Sequence, residues 1–255
     1  MKKGAFSYDF DDVKASHDAL GYAVDLYLPE RAAHRVAVRE FAEGRYYEPF
    51  THLAFKMILE GKGGRNVVHA GAFFGDMLHT LSQSAATVYA FEPVLENFVF
   101  AKKNAERLGL ANVVLVNAGL GEENGLLPIR TTDKQGRFIG GGSTFNTGAQ
   151  SEQHVYETAP VFRIDSLPIE DVALIELDVE GFELPALKGA RTIIERDRPV
   201  ILIEDNKDNC ADFLGSLGYA CVFATKGLSF WGVKADAALL GGLRARAEAL
   251  GALES

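Results

Sequence analysis

The sequence predicts an α/β fold: a mostly parallel, seven-stranded sheet, covered by helices on both faces, that closes with a C-terminal antiparallel hairpin. Three observations carry the prediction. From residue 66 onward, short β-branched runs alternate with helix-length segments. The first of these runs, opened by Val67 and Val68, ends in a glycine-bearing turn over residues 71–75 that leads into a helix. The last two runs, 219–224 and 228–233, are separated only by Thr225, Lys226 and Gly227, which is hairpin spacing.

Taken in order, residues 1–60 read as a helical and irregular extension, with mixed apolar and charged stretches at 18–28 and 32–42. A break at Tyr46–Phe50 precedes a helix over 51–59, and Gly61, Gly63 and Gly64 close the extension. The main domain, 61–255, then begins. After the first strand and turn come a helix at 77–84, a strand at 88–91 stopped by Glu92 and Pro93, and a helix at 97–108 ended by Gly109. A third strand covers 113–116. Alternation resumes with a strand at 172–177, a helix at 184–195, a strand at 200–203 and a helix at 208–217. The terminal hairpin and a helix at 236–250 complete the chain. The interval 131–160, with Gly140, Gly141 and Gly142 together, is long for a loop in a compact domain and reads equally as a substrate-side lid or a passive insertion.

Composition narrows the function. With 26 basic and 35 acidic side chains, the net charge of −9 argues against a phosphate-backbone partner. Two cysteines, Cys210 and Cys221, make neither a disulfide framework nor a zinc site, which suits a reducing, cytoplasmic location. Residues 1–10 carry no apolar stretch of a secretory signal, and no run reaches the roughly 20 apolar residues of a spanning helix, so no membrane partner is expected.

The chemistry concentrates at the strand ends. In His69-Ala70-Gly71-Ala72-Phe73-Phe74-Gly75-Asp76 the glycines let the backbone approach a ligand closely, although a tight turn needs no ligand. Glu92, seventeen residues after Gly75 and at the end of the second strand, tips the balance, because an acid there accepts hydrogen bonds from a ribose diol. Gly71, Ala72, Gly75, Glu92 and Pro93 are thus candidate nucleoside-binding residues. The three-glycine dinucleotide pattern is absent, and Asp76 at the helix start would repel a pyrophosphate while tolerating a zwitterion beside a cation. The third strand ends in Asn117 and Ala118, placed beside the base of such a nucleoside, though an ordinary turn explains them equally well.

These residues resemble the FkbM family of methyltransferases over roughly residues 46–205. The resemblance rests on Asp178-Val179-Glu180-Gly181-Phe182-Glu183 followed by Leu187-Lys188-Gly189-Ala190. Phe91-Glu92-Pro93, the Gly71-Ala72 and Gly75 turn, Asp165 and Glu204 add to it. It implies a Rossmann-like class I methyltransferase fold, S-adenosyl-L-methionine as cofactor, and transfer to a hydroxyl oxygen of a sugar or other small biosynthetic acceptor. Three positions depart from the family. His69 stands where it usually has Asp, Glu176 where it often has Lys, and Phe73 where Asn is expected. His69 is either a contact to the methionyl end or a packed structural histidine.

For methyl transfer to a hydroxyl, a base must receive the acceptor's proton. Asp178 and Glu180 share one side of an extended strand end; Asp178 is assigned to the methionyl amino group or the acceptor, Glu180 to the base role, and Glu183 to capping. No metal is assigned; an alternative places magnesium at Asp178, Asp205 and Asn206. His154, Tyr156, Tyr46 and Tyr47 are further candidates for the acceptor pocket. The competing functions are a nicotinamide-dependent oxidoreductase and a non-catalytic nucleoside-binding protein.

Overall fold

The computed structural model describes residues 11–17, 22–145, 148, 152–204 and 210–253, with side chains from Ala23 onward. The elements in chain order are β1 (Asp11–His17), β2 (Tyr22–Leu28), α1 (Val36–Ala42), α2 (Pro49–Gly61), β3 (Asn66–Ala70), α3 (Leu78–Ser84), β4 (Val88–Phe91), α4 (Leu95–Arg107), β5 (Val113–Val116) and β6 (Gly119–Leu120). They continue with β7 (Gly125–Arg130), β8 (Tyr156–Phe162), β9 (Val172–Leu177), α5 (Glu183–Gly189), α6 (Arg191–Asp197), β10 (Val200–Glu204), α7 (Cys210–Ser216), β11 (Ala220–Ala224), β12 (Leu228–Gly232) and α8 (Ala237–Ala249).

Seven strands form the central sheet in the order β11-β12-β10-β9-β3-β4-β5. The pairs among β10, β9, β3, β4 and β5 are parallel, and β12 joins β10 and β11 antiparallel. This is the class I methyltransferase arrangement. The order reverses between β3 and β9, and the crevice beyond the carboxyl ends of these two strands is where doubly wound sheets take ligands.

Both sheet faces are covered, so the central strands read as nearly continuous apolar runs. On one face Val67, Leu174 and Leu202 pack against Phe55 and Ile58 of α2 and Leu240 and Leu243 of α8. On the other, Val68, Ile175 and Ile201 meet Leu187, Ile194 and Leu214 of α5, α6 and α7. All of β9 is buried, Glu176 included, so one charge sits inside an apolar strand and needs a partner there.

Three sequence readings need correction. The stretch 18–28 is not helical where described: Tyr22–Leu28 is a strand, antiparallel to β1, with Val24, Leu26 and Leu28 buried and Ala23 exposed. Its period is 2, not 3.6. The interval 131–160 is not loop to its end, since residues 156–160 belong to β8, which forms a second, three-stranded sheet with β6 and β7. The helix over 184–195 is broken at Gly189–Ala190, where a Cβ on Gly189 would run into the Gly121 carbonyl. A third apolar cluster (Val24 and Leu26 of β2, Phe41 of α1, Phe73, Phe74, Ile129 and Phe138) seats the extension and the second sheet on the turn after β3. No helix among the described residues is long and apolar enough to cross a membrane.

Candidate functional site

The turn after β3 is shaped by two glycines. Gly71 has φ +97°, and a Cβ there would collide with the Asp178 carbonyl oxygen, so glycine is what lets the ends of β3 and β9 touch. Gly75 has φ +84°, and its Cβ would lie 3.1 Å from the Ala101 Cα; its smallness seats α4 against the turn. Phe73, also at positive φ, turns its ring toward the triple glycine. Cβ atoms on Gly140 and Gly141 would lie 2.9 and 3.1 Å from that ring, and one on Gly142 would lie 3.0 Å from the Arg35 guanidinium. Gly140 and Gly141 thus make room for the Phe73 ring, while Gly142 lies against the movable end of Arg35.

Glu92 closes the other side of the turn. Its carboxylate accepts the N–H of Phe73 and of Val94, each at 2.8 Å, and the Asn97 amide at 3.2 Å. Burial pushes its pKa up to about 7, although these donors partly offset the effect. Asn97 is 1% exposed; its amide also donates to the Gly140 carbonyl at 3.2 Å, while its Oδ1 has no partner. Gly71, Glu92, Pro93, Asn97 and Phe145 line one narrow cleft of about 20 Å³. Phe145 packs directly on Gly119, so an adenosyl group needs the segment carrying Phe145 to give way. The acceptors suit a ribose: Glu92 has one position left on Oε2 beyond its three bonds, and Asn97 Oδ1 has no partner.

Across Gly71, Gly141 and Asp178, which border both spaces, the cleft adjoins a cavity of about 820 Å³. Its wall includes Arg35, Tyr47, His69 and six carboxylates: Glu48, Asp76, Glu176, Asp178, Glu180 and Glu204. Asp178 is open to the cavity yet surrounded by protein; this enclosure, then Glu204, Glu176, Glu180 and Glu48, holds its pKa well above the usual range. Carboxylate oxygens of Asp178, Glu180 and Glu204 lie within 4.8 Å of one another. Glu204 is raised by enclosure and by Glu180. Glu180 is raised by enclosure against the opposing pull of Arg35, 3.7 Å away, and of Arg130. The Glu180 backbone is left-handed, φ +53°, and its carbonyl accepts the Thr144 hydroxyl at 2.6 Å. Asp76, buried at the same wall, is pushed up to about 7, mainly by desolvation.

His69 and Glu176 face each other across β3 and β9, with the imidazole Nδ1 hydrogen-bonded to Glu176 Oε2. They are 2% and 3% exposed. Two of the three family departures are therefore one buried pair.

Of the sequence candidates, His69, Gly71, Glu92, Pro93, Asp178 and Glu180 border these spaces. Ala72, Gly75, Asn117 and Ala118 do not. Ala72 and Ala118 are fully buried, Gly75 packs on α4, and the Asn117 amide donates to the Glu92 and Pro93 carbonyls at 2.8 and 3.2 Å. These four stand behind the walls of the two spaces. Glu183 accepts the N–H of Val179 and of Gly181, each at 3.2 Å, a capping arrangement. Tyr47 borders the cavity, whereas Tyr46, His154 and Tyr156 do not. Asp205 and Asn206 lie outside the described residues. Asn97 and Arg35 escaped sequence reasoning. Glu176 offered a signal, as the only charge in the run 172–177.

A family model described as the methyltransferase FkbM domain matches residues 67–220. A search of curated proteins found no match. Among solved structures, a methyltransferase FkbM from Methylobacillus flagellatus is 19% identical with a TM-score of 0.49, covering 66% of this chain and 43% of its own. The present chain thus spans less than half the length of that protein. An O-methyltransferase from Bacillus cereus, in complex with S-adenosylhomocysteine, is 15% identical with a TM-score of 0.46, covering 72% of this chain and 80% of its own. A precorrin-6y C5,15-methyltransferase from Geobacter metallireducens is 16% identical with a TM-score of 0.42, covering 71% and 84%.

Proposed function

From the premise that the chain belongs to the FkbM methyltransferase domain family, we propose that it methylates a hydroxyl of a small acceptor, such as a sugar, using S-adenosylmethionine. The observation that carries this reading is that the glycine turn and Glu92 open onto one cleft, which continues across Gly71 into a carboxylate-lined cavity.

Glu92 and Asn97 hold the ribose hydroxyls, as acceptors in a buried setting where charge-assisted bonds are strong. When bound, S-adenosylmethionine supplies an electrophilic methyl group on a sulfonium. The acidic wall favours that positive charge. Asp178 and Glu180 share the cavity wall, and in this reading a carboxylate oxygen of Glu180 receives the proton of the acceptor hydroxyl. Arg35 holds that carboxylate against the wall. The stretch 140–144 beside the cleft is tied by Asn97 to Gly140 and by Thr144 to Glu180.

Calorimetry with S-adenosylmethionine, S-adenosylhomocysteine and NAD, followed by methyl transfer to a panel of hydroxyl acceptors, tests the reading. Binding of the first two and transfer to oxygen are expected. Binding of NAD alone points to an oxidoreductase. Cofactor binding without transfer to any acceptor points to a non-catalytic nucleoside-binding protein.

A further inference from the structure

Of the six carboxylates in the wall of the large cavity, two are answered from within the protein: Glu176 bonds to His69, and Glu180 lies 3.7 Å from Arg35. Among the described residues, Glu48, Asp76, Asp178 and Glu204 have no ion-pair partner. The other basic residues of the wall, His34 and Lys226, are exposed. Asp178 and Glu204 hydrogen-bond to each other, which requires a proton on one of them. Bound S-adenosylmethionine brings one net positive charge, from its sulfonium and ammonium against its carboxylate, and so offsets the charge left on that pair. Glu48 and Asp76 then still lack a counter-charge, and a carboxylate held away from water without one is costly. Asp76 is only 7% exposed, its side chain makes no hydrogen bond to another residue among the described ones, and the surface it keeps lies in the cavity wall.

Glu48 is the more specific feature. It precedes Pro49, the first residue of α2, in a left-handed conformation (φ +49°, ψ +59°) that non-glycine residues rarely adopt, least of all before proline. Strain of this kind persists where the surroundings fix it, and it concentrates at ligand sites. The carboxylate does not cap α2, since it accepts no backbone N–H there. Its Oε2 accepts the Thr51 hydroxyl at 3.1 Å, the Tyr47 hydroxyl also bonds to it, and Gly227, whose Cβ would lie 3.1 Å from Oε1, leaves that oxygen room. Both donors are neutral, so the group is held in place with its charge unanswered. Burial pushes its pKa up; the Tyr47 and Thr51 bonds oppose this, and Glu176 and Glu204 add to it. The cavity, about 820 Å³, takes a sugar-sized molecule beside the amino-acid end of the cofactor.

We infer that the acceptor is a hydroxyl compound carrying a protonated amine, of the amino-sugar class, and that Glu48 is the counter-ion of that amine, with Asp76 adding to the field. The inference rests on the methyltransferase reading above and deepens it. Asp178 and Glu180 remain for the reacting hydroxyl.

Calorimetry on the protein saturated with S-adenosylhomocysteine compares glucose with glucosamine and kanosamine, each with one amine in place of a hydroxyl, and with glucuronate, which adds a negative charge. At least one of the amines should bind about 10-fold tighter than glucose, the range of a charge-assisted hydrogen bond, and glucuronate should bind no better than glucose. Glu48→Gln keeps the shape of the side chain and removes its charge. It should bring the amine to within about 2-fold of glucose while leaving the affinity for S-adenosylhomocysteine within about 2-fold of wild type. In methyl transfer to the tighter amine, the same variant should raise KM and leave kcat nearly unchanged. An amine with no advantage over glucose, including binding of none of the sugars, overturns the inference and leaves the cofactor reading standing. An advantage that survives Glu48→Gln does the same, as does magnesium that binds and displaces the amine, because the carboxylates would then be a metal site. Failure to bind S-adenosylhomocysteine overturns the cofactor reading itself, and the inference with it.

Discussion

His69 on β3 and Glu176 on β9 are direct register partners on neighbouring parallel strands, and their nearly buried side chains bond to each other at the cavity wall. Neither residue would be tolerated alone at these positions. Removing one partner of a buried pair leaves an uncompensated charge, whereas removing both leaves an apolar wall. Glu176→Ala should therefore destabilise the fold by about 3–5 kcal/mol. The double His69→Leu/Glu176→Leu protein should be more stable than that single variant. Urea unfolding of both checks this; equal losses would show that the pair is not a unit.

Gly71→Ala should abolish folding or lower stability by more than about 3 kcal/mol. The added Cβ meets the Asp178 carbonyl, which is backbone and cannot rotate away, and φ +97° is strained for any L side chain. Gly63→Ala, also at positive φ but with open space around it, is the control and should cost only about 1 kcal/mol. Thermal unfolding that fails to separate the two would remove the steric argument.

Glu92 links the cleft to pH. Its folded-state pKa is raised from 4.5 to about 7. The stability linked to this group is therefore fully present below about pH 4.5 and lost as pH rises through about 7. The shift corresponds to at most about 3 kcal/mol. Glu92→Gln removes the titration, so the drop in melting temperature between pH 5 and pH 8 should be smaller in that variant than in wild type. Glu92→Ala should weaken S-adenosylmethionine binding by about 2–4 kcal/mol, and it also strands the Phe73 and Val94 amides.

Asn97→Ala should weaken S-adenosylhomocysteine binding about 10-fold, through loss of the free Oδ1 acceptor and of the tie to Gly140. Limited proteolysis should then cut more readily within residues 140–148. Calorimetry that shows an unchanged dissociation constant would take Asn97 out of the ribose site.

Arg35→Ala should move the acid limb of the rate profile to higher pH. Arg35 opposes the rise in the Glu180 pKa caused by desolvation, so without it the carboxylate ionises at higher pH and the base form appears later. A profile that stays in place, measured with a competent acceptor, would separate Glu180 from proton removal.

The parts of this molecule legible in its sequence were those governed by local or face-wide burial. β3, β9 and β10 read as apolar runs because helices cover both of their sides. The hairpin β1–β2 was harder. Tyr22–Leu28 interleaves Asp25 and Tyr27 with buried Val24, Leu26 and Leu28, and from sequence alone this short two-residue period resembles an irregular helix. β7 and β8 are hidden in another way: Leu126 and Leu127 are exposed, and Pro128 and Pro160 interrupt the pattern, so the pairing of Gly125–Arg130 with Tyr156–Phe162 has little one-dimensional signature.

The sequence by itself determined the α/β class, the glycine turn, the acid at position 92 and the Asp178–Glu183 motif, because each depends on residue type at fixed spacing along one strand or turn. Only the tertiary structure decided that Glu176 belongs to His69, that Asn97 belongs to Glu92 and Gly140, and that Gly71 is demanded by the Asp178 carbonyl. His69 and Glu176 are 107 residues apart in the chain. Parallel strand order places them side by side, and the cost of burying a charge without a partner holds them there.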